Sequence, residues 1–112
     1  MDNKKDNRYY VDKVLLDIEF LIKHTKGTSK KEFEKDEVLL DSIMFRFIQI
    51  SEHIKKLTTT FKNIHTEIPW RDINGLRNRI VHEYGNVDLN IVYDVVKKDI
   101  YDIYKLFKSI SS

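Results

Sequence analysis

Apolar residues recur along this chain at steps of three and four rather than two, and only three glycines and one proline interrupt them. That rhythm belongs to helices burying one face. The spacing predicts a first helix from about Arg8 to His24, with Val11, Val14, Leu15, Ile18, Leu21 and Ile22 as one stripe and Gly27 as its stop. Ser29, with Glu32 three residues on, has the form of a capping box and predicts a short helical turn.

The cleanest pattern runs from Asp36 to Phe61, where Leu40, Ile43, Phe47, Ile50, Ile54, Leu57 and Phe61 alternate steps of three and four. This helix is the expected spine of the fold. Val38, Met44, Phe45 and Ile48 add apolar surface at other angles, more than one neighbouring helix needs, and a second subunit is one way to cover it. Pro69 is placed to start a third helix, Trp70 to Tyr84, with Gly85 beyond its end. Asp88 can cap a fourth, reaching Ile110 and carrying Val92, Val95, Val96, Ile103 and Phe107. The expected fold is all-α: an antiparallel bundle of four main helices plus a short connecting helix, filling residues 1–112 as one domain.

Composition narrows the choice of chemistry. Twenty basic residues face eighteen acidic ones, so any affinity for nucleic acid must come from local clustering and not from bulk charge. The absence of cysteine excludes disulfides and thiol catalysis. Met1 to Arg8 has no apolar signal-peptide core and no run approaches a membrane span, so a cytoplasmic location without membrane contact is expected. His24, His53 and His65 lack the pairing of a metal site and read as surface groups; no metal or cofactor is expected. The lysine pairs Lys30-Lys31, Lys55-Lys56 and Lys97-Lys98 read as solvated faces, Tyr93, Tyr101 and Tyr104 as packing residues, and Trp70 as a core anchor.

The one dense polar constellation is Arg77, Asn78, Arg79, Ile80, Val81, His82, Glu83, Tyr84. At 3.6 residues per turn, Trp70, Ile73, Leu76 and Ile80 define the buried stripe of this helix, and Arg77 and Tyr84 project within about 60° of its middle. A charge at that angle must be paired, snorkel, or line a cleft. His82 projects about 140° from Arg77, whereas Asn78 shares its face one turn earlier. For Arg77 and His82 to act on one phosphate, the arginine must wrap around, the helix must loosen before Gly85, or a second copy must complete the site. The last is the favoured route.

The run R-x-x-x-x-H-x-Y at Arg77, His82 and Tyr84 resembles the signature of HepT-like proteins in the HEPN superfamily. Ile68-Pro69-Trp70 before it, Gly85-Asn86-Val87-Asp88 after it, Arg46, Ile50 and Glu52 upstream, and the turn from Ser29 to Phe33 agree, so the likeness covers essentially the whole chain. It departs at Ser51-Glu52-His53, where a Gly-Glu-Ala triplet is expected; the added bulk bears on packing against a neighbouring helix.

The resemblance implies a HEPN-like fold and a toxin of a toxin-antitoxin pair, a homodimer that cleaves RNA without metal in a cleft between its subunits. Arg77 and His82 would be its catalytic residues. RNA carries its own nucleophile, so such a site needs a proton acceptor and a cation beside the phosphate. An imidazole suits the first task and a guanidinium the second; Asn78 would support them. Tyr84 would be the residue that a nucleotidyltransferase antitoxin modifies with AMP. The rival expectation is a non-catalytic HEPN dimer serving as the binding or substrate subunit of that nucleotidyltransferase.

Overall fold

The computed structural model describes residues 6–84 and 89–111, and at positions 81, 83 and 84 the helical backbone only. In chain order the helices are α1 (Asn7–Thr25), α2 (Lys30–Lys35), α3 (Glu37–Lys56), α4 (Thr59–Ile64), α5 (Trp70–Tyr84), α6 (Leu89–Asp94) and α7 (Ile100–Ile110). A π-helical turn, Val95–Asp99, joins the last two without a break in αR backbone. Among the described residues no strand occurs, and no helix is long and apolar enough to cross a membrane. The all-α expectation holds.

Side-chain register fixes the directions. Asn7 at the start of α1 bonds Thr58 just after α3 (3.0 and 3.2 Å), and Asp17 meets Arg46 at 2.8 Å, so α1 and α3 run antiparallel. Tyr104 donates to Glu19 at 3.0 Å and Lys97 donates to the carbonyl of Thr25, so the last helix also runs against α1. Trp70, at the beginning of α5, packs edge-on to Phe107 near the end of α7, with ring centroids 5.8 Å apart. Buried side chains from all these helices meet in one core: Val14, Ile18 and Leu21 of α1, Ile43 and Phe47 of α3, Ile80 of α5, and Val96, Ile100 and Phe107 of the last helix. Each such side chain contributes about 1.5–3 kcal/mol relative to exposure.

Local signals were accurate at the caps. Asp6 accepts from Tyr9 N–H to open α1, and Gly27, at φ 78°, turns the chain after it in a left-handed conformation that a side chain would strain. Ser29 and Glu32 form the expected capping box at 3.1 and 3.2 Å. The positions of Gly85 and Asp88 lie outside the described residues.

Two features differ from expectation. The spine stops at Lys56 instead of reaching Phe61: Leu57 is extended, and Thr58 caps the separate helix α4 by accepting from Phe61 N–H at 3.1 Å. Asn7 holds the break by bonding both the backbone N–H and the hydroxyl of Thr58, while Leu57 and Phe61 still face the core. The π turn is the second difference. Across it Val95, Val96 and Ile100 all face inward, and Lys97 reaches the carbonyl of Thr25, the last residue of α1. Lys97 is therefore a structural contact and not part of a solvated pair.

Candidate active site

The stripe predicted for α5 is the one observed. Ile73 and Ile80 are buried, Trp70 and Leu76 are packed against them, and Trp70 Nε1 donates to the carbonyls of Lys62 and His65, each at 3.1 Å. That bond ties the start of α5 to the end of α4 and fixes the indole.

Arg77 follows on the same side of the helix and is half-buried. Its guanidinium faces no carboxylate within ion-pair distance among the described residues. Instead Nη1 donates to the side-chain oxygen of Asn78 at 3.0 Å, and Nε is buried without a hydrogen-bond partner. Leaving a buried donor unsatisfied costs about 1–3 kcal/mol. The residue is among those lining a cavity of about 110 Å³ between α3, α5 and α7, with Lys62 of α4 at its edge.

Asn78 and His82 are both exposed. By helical angle Asn78 sits about 100° from Arg77 and only about 40° from His82. The bond to Asn78 therefore draws the guanidinium part of the way round the helix, toward the imidazole. Among the described residues no hydrogen bond or ion pair joins Arg77 to His82 within one chain. The side chain of Tyr84 lies outside the described residues.

On α3, Val38, Phe45 and Ile48 remain 77, 56 and 37% exposed, whereas Met44 is buried. Of the four residues expected to exceed the needs of one neighbour, three thus lack cover in the protomer. Ile48 projects about 60° from Ser51, which is buried and lines the cavity beside Arg77.

Ser51 and His53 face different sides of α3. Ser51 faces the cavity. His53 turns toward α1, its Nδ1 3.4 Å from Asp17 Oδ2. The pair is close enough for attraction if the imidazole is protonated but is not aligned as a hydrogen bond, since both atoms are buried and unsatisfied. Reading His53 as a surface group missed this contact. Asp17 was also missed, although an acid between Val14, Ile18 and Leu21 on the core stripe is as anomalous as Arg77. Its carboxylate accepts from Arg46 at 2.8 Å, and Phe20 covers that guanidinium with its ring centroid 3.8 Å away.

Comparisons with known proteins bear on the same segment. The family model described as "Ribonuclease HepT-like" matches residues 14–110. "Putative RNase TTE0752" of Caldanaerobacter subterraneus subsp. tengcongensis is 35% identical over 106 residues, covering 95% of each chain. "Probable ribonuclease HepT" of Thermococcus cleftensis is 28% identical over 97 residues, covering 87% of this chain and 88% of that one. No solved structure matches. An all-helical bundle, a family match across nearly its whole length and relatives aligned end to end agree: this chain belongs to the HepT-like ribonuclease family of the HEPN superfamily, and its enzyme class is endoribonuclease.

Proposed function

We propose that the protein is the toxin of a toxin-antitoxin pair and cleaves RNA at a site made by Arg77 and His82, completed between two copies of the chain. The observation that carries this reading is Arg77, a half-buried cation whose only hydrogen-bond partner among the described residues is the neutral amide of Asn78. Its paired N–H groups are available to grip phosphate oxygens as charge builds on phosphorus.

His82, exposed at the end of α5, accepts the proton of the ribose 2′-hydroxyl or gives one to the departing 5′-oxygen. The 2′-oxygen forms the new bond to phosphorus as the 5′-oxygen bond breaks, leaving a 2′,3′-cyclic phosphate and a 5′-hydroxyl. No metal is required, because the substrate supplies the nucleophile and the protein supplies proton transfer and charge. Asn78 holds the guanidinium on the side of the helix that faces His82. The uncovered Val38, Phe45 and Ile48 stripe supports a homodimer, whose second copy brings the remaining half of each site.

Tyr84 is the off switch in this reading. A nucleotidyltransferase antitoxin joins its phenol oxygen to the α-phosphorus of ATP and releases pyrophosphate. The added phosphate then competes with RNA for Arg77 by charge and bulk.

The test is expression with and without the neighbouring antitoxin gene product, scoring growth and RNA integrity. The unmodified parent is expected to degrade RNA and arrest growth, and His82→Ala to do neither while keeping its helicity. Full cleavage by that variant would defeat the assignment. RNA left intact by the unmodified parent would instead favour a non-catalytic subunit of the nucleotidyltransferase.

A further inference from the structure

On the outward face of α5, Arg71, Gly75, Asn78, Arg79 and His82 share one arc of the helix, and all of them are exposed. Measured around the helix from His82, Arg71 and Gly75 lie about 20° away, Asn78 about 40° and Arg79 about 60°. No acidic position of α5 falls within that arc. Among the described residues neither Arg71 nor Arg79 is joined by an ion pair or a side-chain hydrogen bond.

Gly75 is the second observation. Glycine is among the least favourable residues inside a helix, yet a Cβ at this position would meet no described atom within 4 Å, so packing in this chain does not call for it. It lies about 6 Å along the axis from each of Arg71 and Arg79. A helix surface bare of side chain between two uncommitted guanidinium groups lets an outside chain come down to the backbone. A second copy of α5 is the wrong occupant, since a symmetric crossing at Gly75 would set arginine against arginine. A polyanion meets both charges favourably.

We infer that Arg71, Gly75 and Arg79 form a track for the sugar-phosphate backbone of the RNA substrate and deliver the strand to His82. The two arginines bind phosphates, and Gly75 admits the strand to the helix surface between them. They stand about 12 Å apart along the axis, well beyond the rise of ~3.4 Å between successive phosphates of one strand, so they hold different phosphates. The groove between α5 and α7 adds Asp72, Asp99 and Asp102 on one flank, which repel a phosphate strand from the groove and keep it on the crest of the helix. At the end of the crest, Asn78 draws the Arg77 guanidinium to the same side. This inference rests on the cleavage reading, because it takes RNA as the ligand and His82 as the destination.

The test is the salt dependence of binding. A labelled 2′-O-methyl oligouridylate, which lacks the nucleophile, is titrated into the full chain at a series of salt concentrations while anisotropy is recorded. Each phosphate contact on a single strand adds about 0.7 to the steepness of log affinity against log salt. Arg71→Ala and Arg79→Ala should each lower the steepness by about that amount and weaken binding about fivefold at about 0.1 M salt, with Arg79→Lys restoring most of it. Lys23→Ala, at an exposed residue of α1, controls for bulk charge and should leave the steepness unchanged. Gly75→Gln, which covers the bare stretch, should weaken binding at least as much as the loss of one arginine, while the protein unfolds at equal or higher urea than the parent.

Unchanged steepness in both alanine variants of a parent that binds would overturn the track and leave the cleavage reading intact. So would an equal drop in Lys23→Ala, which would mark the effect as bulk charge, or a Gly75→Gln protein that binds RNA as the parent does. A Gly75→Gln protein that binds less because its dimer has come apart, seen by sedimentation, would give the glycine to self-association and overturn the track as well. Failure of the parent to bind the oligonucleotide would overturn both readings together.

Discussion

Two arginines of this bundle sit at similar depth and have opposite circumstances. Arg46 on α3 is bound by the buried carboxylate of Asp17 at 2.8 Å and covered by Phe20. Arg77 on α5 has the neutral Asn78 at 3.0 Å and a buried, unpaired Nε. The first is neutralised by its own fold and joins α1 to α3; the second has no neutralising partner among the described residues, which is the ground on which we propose it for the phosphate. Partial burial alone therefore does not separate a structural arginine from one proposed for function. The identity of the partner does.

The sharpest way to break this contrast is to delete each guanidinium in turn. Arg77→Ala removes an unsatisfied buried donor and no ion pair, so stability should equal the parent's or exceed it by at most about 1–3 kcal/mol. RNA cleavage should fall by about 10²- to 10³-fold, as when one charge-stabilising donor is lost from an active site. Cleavage kinetics beside a urea denaturation curve would check both, and a large loss of stability with activity retained would reverse the roles.

Arg46→Ala should do the opposite. It leaves Asp17, with only 8% of its side chain exposed, without its 2.8 Å partner. Breaking a fully buried pair costs about 3–5 kcal/mol, and the 30% exposure of Arg46 reduces that to about 2–3 kcal/mol. The folded fraction should still cleave RNA. Asp17→Asn is the milder version: the amide oxygen can still accept from Arg46, so about 1–2 kcal/mol should be lost. An Asp17→Asn protein less stable than Arg46→Ala would mean that the charge of His53 also matters there.

How much of this was legible in the residues depended on the distance over which each feature is decided. The capping box at Ser29 and Glu32, the stop at Gly27 and the stripe of α5 are decided within one or two turns, and all could be read. The end of α3 could not, because Leu57 and Phe61 keep the helical rhythm while the break is secured by Asn7, 51 residues from Thr58. The π turn at Val95–Asp99 is likewise set by packing against α1 and carries no local mark. Within the site, Arg77 announced itself as a charge at a core angle. The same test, applied to α1, would have found Asp17. The proposed convergence of Arg77 and His82 across two copies of the chain is not something that periodicity within one chain can encode.

The smallest expected effect lies at the other locally self-completed charge, Glu32. Its carboxyl is held below the usual value of 4.5, first by the backbone N–H of Ser29, then by the Ser29 hydroxyl, with a lesser contribution from Lys97 against a small desolvation cost. A depressed folded value means that the unfolded chain takes up the proton first as pH falls. The contribution is thus complete above about pH 4.5 and is lost as the pH drops through the lower folded value. Glu32→Gln keeps the hydrogen-bonding shape of the capping box without the charge. It should unfold at slightly lower urea than the parent at neutral pH, with the gap closing in acid as Glu32 itself becomes neutral. A gap of constant width across that range would assign the cap to shape alone, and the contrast between charges completed by this chain and the one it leaves open would then rest on Arg46 and Arg77 only.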